Sequence, residues 1–145
     1  MKKTHCYILA GIGLLSQARA GEPVQLSCPE IVRAASIQVV QPEGWAAQAS
    51  GDFRLSSAGF NNGPPENRAD LKPWSVSAKG KKSVETWRFE TDEFSNDGLW
   101  LVCGYGGSAG QVTLAKKMPS AYSACSITYS PSTKAGARSV AIACR

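Results

Sequence analysis

The segment Ser123-Ala124-Cys125-Ser126-Ile127-Thr128-Tyr129, together with Ser139-Val140-Ala141-Ile142-Ala143-Cys144 beyond the turn-forming run Ser130-Pro131-Ser132-Thr133-Lys134-Ala135-Gly136, decides the fold. Side chains of a β-strand point alternately to its two faces, so residues two apart share a face. In a hairpin with Tyr129 opposite Val140, Ile127 falls opposite Ile142 and Cys125 opposite Cys144. All of these side chains then lie on one face and meet across the pair.

Working back along the chain, the same period continues. Leu99, Leu101, Cys103 and Tyr105 share one face of a strand that Gly106-Gly107-Ser108-Ala109-Gly110 ends. Val112, Leu114 and Met118 line the next strand, which Pro119 stops. Ser83 to Thr91 alternates, with Trp87 and Phe89 on one face and Thr86, Arg88 and Glu90 on the other. Trp74 to Ala78 reads as a further strand. Phe53 to Phe60 reads as another, in which Phe53, Leu55 and Ser57 alternate against Arg54 and Ser56. Between these strands Asn61-Asn62-Gly63-Pro64-Pro65-Glu66-Asn67 is expected to be a loop, because adjacent prolines remove ladder donors and Asn-Gly tolerates positive φ. The β-branched run Ser36 to Val40, ended by Gln41-Pro42-Glu43-Gly44, is expected as a strand. Pro29 to Ser36 is the one place for a short helix, with Pro29 and Glu30 suited to its first turn. The fold class that results is mainly β: a single antiparallel domain, barrel or sandwich-like, with at most one short helix.

The beginning of the chain sets the compartment. Met1-Lys2-Lys3, an apolar run from Tyr7 to Leu15 and Ala18-Arg19-Ala20 make a positive n-region, an h-region and a small-x-small cleavage site. The apolar run is far short of the roughly 20 residues that span a bilayer as a helix, so no membrane anchor is expected. Gly21, not Cys, follows the cleavage point, which disfavours a lipoprotein. Residues 1–20 are thus expected to be a signal peptide cleaved after Ala20, and 21–145 the mature domain, exported to the periplasm or beyond.

Cleavage would change the chemistry. The formal charge of +5 falls to +2, with 13 basic residues against 11 acidic. No Lys/Arg stripe survives beyond Lys79-Gly80-Lys81-Lys82, so nucleic acid is not an expected partner. His5, the sole histidine, leaves with Cys6. The remaining Cys28, Cys103, Cys125 and Cys144 form an even set in an oxidising compartment, which reads as two disulfides with three possible pairings. The hairpin register selects Cys125–Cys144 and leaves Cys28–Cys103.

With imidazole gone and thiols paired, His-dependent nucleophilic catalysis and thiolate chemistry are excluded. Zinc is disfavoured for want of a Cys-x-x-Cys spacing or a mature histidine, and no metal or cofactor is expected. The glycine-rich stretch Gly104 to Gly110 joins two strands, whereas a dinucleotide loop must open a helix. Glu90, Asp92, Glu93 and Asp97 lack the order of a calcium loop and read as a solvated turn. Among the tryptophans, Trp87 and Trp100 read as core, although Trp100 alternates away from Cys103. Trp45 and Trp74 sit near turns and are candidates for a contact patch.

The sequence also runs Cys28-Pro29, Gly44-Trp45, Gly63-Pro64-Pro65, Leu71, Pro73 and Trp87-x-Phe89. Then come Leu99-Trp100-Leu101-x-Cys103-x-Tyr105-Gly106, Met118-Pro119, Cys125-x-x-x-Tyr129 and Ile142-x-Cys144-Arg145. Taken together this resembles a family of small exported four-cysteine proteins of uncharacterised function from Gram-negative bacteria. Met118-Pro119 stands where such proteins usually show Leu-Pro. The resemblance implies a periplasmic location and two disulfides, and brings no catalytic or binding residues. The expected function is non-enzymatic: binding of another periplasmic or secreted protein, as an inhibitor or immunity protein against a secreted or cell-wall-active hydrolase. The alternatives are a structural or accessory envelope component, or a carboxylate-based hydrolase. The expected contact is Asn61, Asn62, Gly63, Pro64, Pro65 and Glu66, whose prolines lower the cost of ordering, together with Trp74.

Overall fold

Backbone groups buried in a small domain must be paired, and here they pair almost entirely in antiparallel ladders. The computed structural model describes residues 24–90, 94, 97–107, 111–119, 122–135 and 137–145. The expected signal peptide lies outside them, as do Asp92, Glu93 and Ser108 to Gly110. The strands are β1 Val24–Leu26, β2 Ile31–Val32, β3 Phe53–Asn62, β4 Ser75–Lys79, β5 Lys82–Arg88, β6 Leu99–Tyr105, β7 Val112–Lys117, β8 Ala124–Pro131 and β9 Arg138–Cys144. They form two antiparallel sheets, ordered β1-β9-β8-β5-β4 and β2-β3-β6-β7. The domain is therefore two-layered.

The C-terminal hairpin has the register required by its alternation: Tyr129 opposite Val140, Ile127 opposite Ile142, Cys125 opposite Cys144. Cys125 and Cys144 form one disulfide across a close pair, Cα–Cα 4.1 Å. The other joins Cys28 to Cys103, Cα–Cα 6.0 Å. Cys28 lies where the chain passes from β1 in one sheet to β2 in the other, so this bridge ties the crossing to the middle of β6.

The core is what the facing strands contribute. Leu55, Ala58, Phe60, Leu101, Cys103 and Tyr105 come from one sheet, and Trp87, Cys125, Ile127, Tyr129, Ile142 and Cys144 from the other. Phe60 meets Trp87 edge-on at 5.1 Å and Phe89 at 5.3 Å, the offset geometry that ring quadrupoles favour.

Four local expectations give way to tertiary structure. Ser36 to Val40 forms no strand; Ala34–Ser36 is a single 3-10 turn and Val40 is fully exposed, because a β-prone run needs a partner ladder and none adjoins it. A helix over Pro29 to Ser36 is replaced by β2, whose pairing with Phe53 and Arg54 buries Val32. In β3 the register shifts between Leu55 and Ser57. This bulge reverses the alternation, so Ala58 and Phe60 point inward after Leu55, while Ser57 does not. Ser56 is buried in the bulge and its hydroxyl donates to the carbonyls of Gly104 and Gly107 at 3.1 and 2.7 Å. Finally, Asn61 and Asn62 are strand residues, not loop. Asn61 bridges Asp70, and the Asn62 N–H donates to the Ala69 carbonyl at 3.0 Å, so the returning chain supplies the ladder.

Candidate functional site

The expected contact loop is folded back on the sheet. Asn61 is 3% exposed and Gly63 is buried. Gly63 has φ +89°, and a Cβ there would meet the Asn67 side chain at 2.6 Å and Asp97 at 3.0 Å. Pro64 and Pro65 are half-buried and lead into a 3-10 turn, Pro65–Asn67. Of the expected contact residues in this stretch, only Glu66 is well exposed, beside Asn67 and Arg68. The four cysteines are buried in their two bridges.

Trp74 lies beyond the Asn61–Asp70 bridge, at the entrance to β4, and is 68% exposed. The guanidinium of Arg88, at the end of β5, lies over its ring at 4.9 Å from the centroid. Arg88 points away from the core because its neighbour Trp87 points in; the alternation showed its face, but not that it would cover Trp74. Val76, in β4, is 61% exposed and carried no signal in the sequence. Trp87, by contrast, is core, and its indole N–H donates to the Leu71 carbonyl at 2.9 Å. Trp100 is half-buried, with its N–H on the Asp97 carbonyl at 3.0 Å. Trp45 is 72% exposed in the segment before β3.

Titratable groups do not converge. Among the described residues no cluster of His, Cys, Asp or Glu is arranged to hold a metal ion. Asp52 accepts from the Ala34 N–H at 3.1 Å and pairs with Arg33 at 2.6 Å, and these two contacts, the backbone one foremost, lower its pKa. Its role is to tether the 3-10 turn to the start of β3. A groove of about 490 Å³ between β1 and β7 is lined by Leu26, Leu101, Met118 and Tyr122, with Lys116 and Lys117 beside them. It contains no carboxylate or imidazole.

The described surface also carries an exposed Trp covered by an Arg, at the entrance to the β4–β5 hairpin. A family model described as "Type VI secretion system Tli immunity protein" matches residues 48–145. No curated protein and no solved structure matches.

Proposed function

Because this chain belongs to the type VI secretion system Tli immunity protein family, we propose that it protects its own cell by binding a secreted effector, and that the effector is a hydrolase met in the periplasm. The observation that carries this reading is the extent of the match. Residues 48–145 include β3 to β9, so strands of both sheets and the Cys125–Cys144 bridge fall within it. Two buried disulfides favour an oxidising compartment, and the n-region, h-region and cleavage pattern of residues 1–20 favours export. Protection by occupancy needs a rigid complementary surface and no turnover; a cross-linked sandwich supplies that rigidity at little entropic cost on binding.

The test is rescue. Each type VI effector of the cell that makes this chain is directed in turn to the periplasm of a sensitive host, and growth is followed. Full-length chain restores growth, its periplasmic form starts at Gly21 by intact mass, and a variant lacking residues 2–20 leaves the host sensitive. Failure of the full chain to rescue, or equal rescue by the leaderless variant, overturns the reading.

A further inference from the structure

Resting on the immunity reading, we propose that the β4–β5 hairpin is the surface that grips the effector, and that it takes an acidic protein face with an apolar recess for Trp74.

Among the described residues of the matched span the large apolar side chains left exposed are Trp74, Val76 and Leu114, and two of these three belong to the approach to β4 or to β4 itself. Val39, Val40 and Trp45 lie before residue 48, outside what the family shares. Every residue of β4 is exposed, and among the described residues the strand pairs only with β5. Its outer edge therefore offers unpaired backbone donors and acceptors beside an aromatic anchor, the combination used in strand addition. The Arg88 guanidinium over the Trp74 ring restricts the indole before any partner arrives, which lowers the entropy lost on docking. Trp and Arg are also the residue types that most often dominate binding energy.

Charge selects the partner. Residues 72–88 carry Lys72, Lys79, Lys81, Lys82 and Arg88 against the single acid Glu85. The rest of residues 21–145 holds eight basic side chains against ten acidic, so the domain's positive charge resides in this hairpin and the approach to it. Lys79 stands directly opposite Lys82 across the two-residue turn Gly80-Lys81, in which Gly80 has φ +61°. Like charges placed opposite each other destabilise a hairpin. The ion pairs among the described residues, Arg33–Asp52 and Lys134–Glu30, lie elsewhere, so none of the described acids offsets this cost. An acidic partner would offset it. A second copy joined through the same hairpin would not, since residues 72–88 bring one acid, Glu85, along with five further cations.

The experiment measures binding of the purified effector against which the chain rescues growth, at low and high salt, alongside thermal melts and sedimentation of every variant. Trp74→Ala should raise Kd by roughly thirty-fold. The triple change Lys79→Glu, Lys81→Glu, Lys82→Glu should slow association by roughly ten-fold and remove most of its salt dependence. Trp45→Ala and Lys116→Glu should bind as wild type. Wild-type affinity in both hairpin variants overturns this surface while leaving the immunity reading intact. No binding by the wild-type chain overturns both. A dimer that Val76→Glu dissociates without loss of effector binding assigns the edge to self-association and also overturns the proposal.

Discussion

The hydroxyl of Tyr129, on β8, donates to the Ala58 carbonyl at 2.6 Å and accepts from the Ala58 N–H at 3.3 Å, across the two sheets. It thereby satisfies the backbone just past the β3 bulge, on the edge not paired with β6. Around it, Leu55 donates to the Glu30 carbonyl at 3.0 Å and the Phe60 carbonyl accepts from Leu71 at 2.8 Å, so one side chain completes a sealed edge. Tyr129→Phe leaves a buried donor and acceptor without partners, and should cost about 2–3 kcal/mol in urea denaturation. Tyr105 is equally buried, yet its hydroxyl finds no hydrogen-bond partner among the described residues. Tyr105→Phe should be neutral or stabilise by up to about 1 kcal/mol. Burial raises the pKa of both phenols; at Tyr129 it outweighs the Ala58 hydrogen bond, with Glu85 adding to the rise and Arg138 opposing it. A folded pKa above the unfolded value of about 10 gives stability that is full below that pH and lost as pH rises through the folded value. Denaturation midpoints should therefore fall on the alkaline side of about pH 10, and the Tyr105→Phe, Tyr129→Phe double variant should lose most of that dependence.

At the scale of elements, the C-terminal hairpin was readable in full, because strict alternation and a cysteine at each far end allow one register. The Cys125→Ala, Cys144→Ala variant removes a crosslink that this register already places in contact, and should lose at most about 3 kcal/mol. Strand β3 was readable in position only. Its inward set changes phase at Ser56, and a bulge leaves no mark in a run of Leu-Ser-Ser-Ala. The loop after it begins later than its composition suggests, for a related reason: Asn61 and Asn62 look like turn residues alone, but Ala69 and Asp70 return to pair with them. Trp74 was identified as a contact candidate from its place beside a proline. Its partner Arg88 was not, because cation–π contact depends on how β4 and β5 align, with Ser75 opposite Thr86.

For the whole molecule, the Cys28–Cys103 bridge spans 75 residues and fastens the crossover between sheets, whereas Cys125–Cys144 spans 19 within one sheet. The loop-entropy model gives the longer bridge about 4.5 kcal/mol, so the Cys28→Ala, Cys103→Ala variant should melt at a lower temperature than its counterpart. Equal melting temperatures would mean that the crossover is held by packing alone. Residue order by itself determined the β class, both disulfides and the hairpin register, since each follows from two-residue periodicity and cysteine placement along one chain. Only the tertiary structure decided that the strands divide into two layers, that the Asn-Gly-Pro-Pro stretch is held against the sheet, and that β4 ends up as an exposed edge strand. Those outcomes depend on which distant segment covers which edge, a matter of competing contacts for which local pattern holds no record.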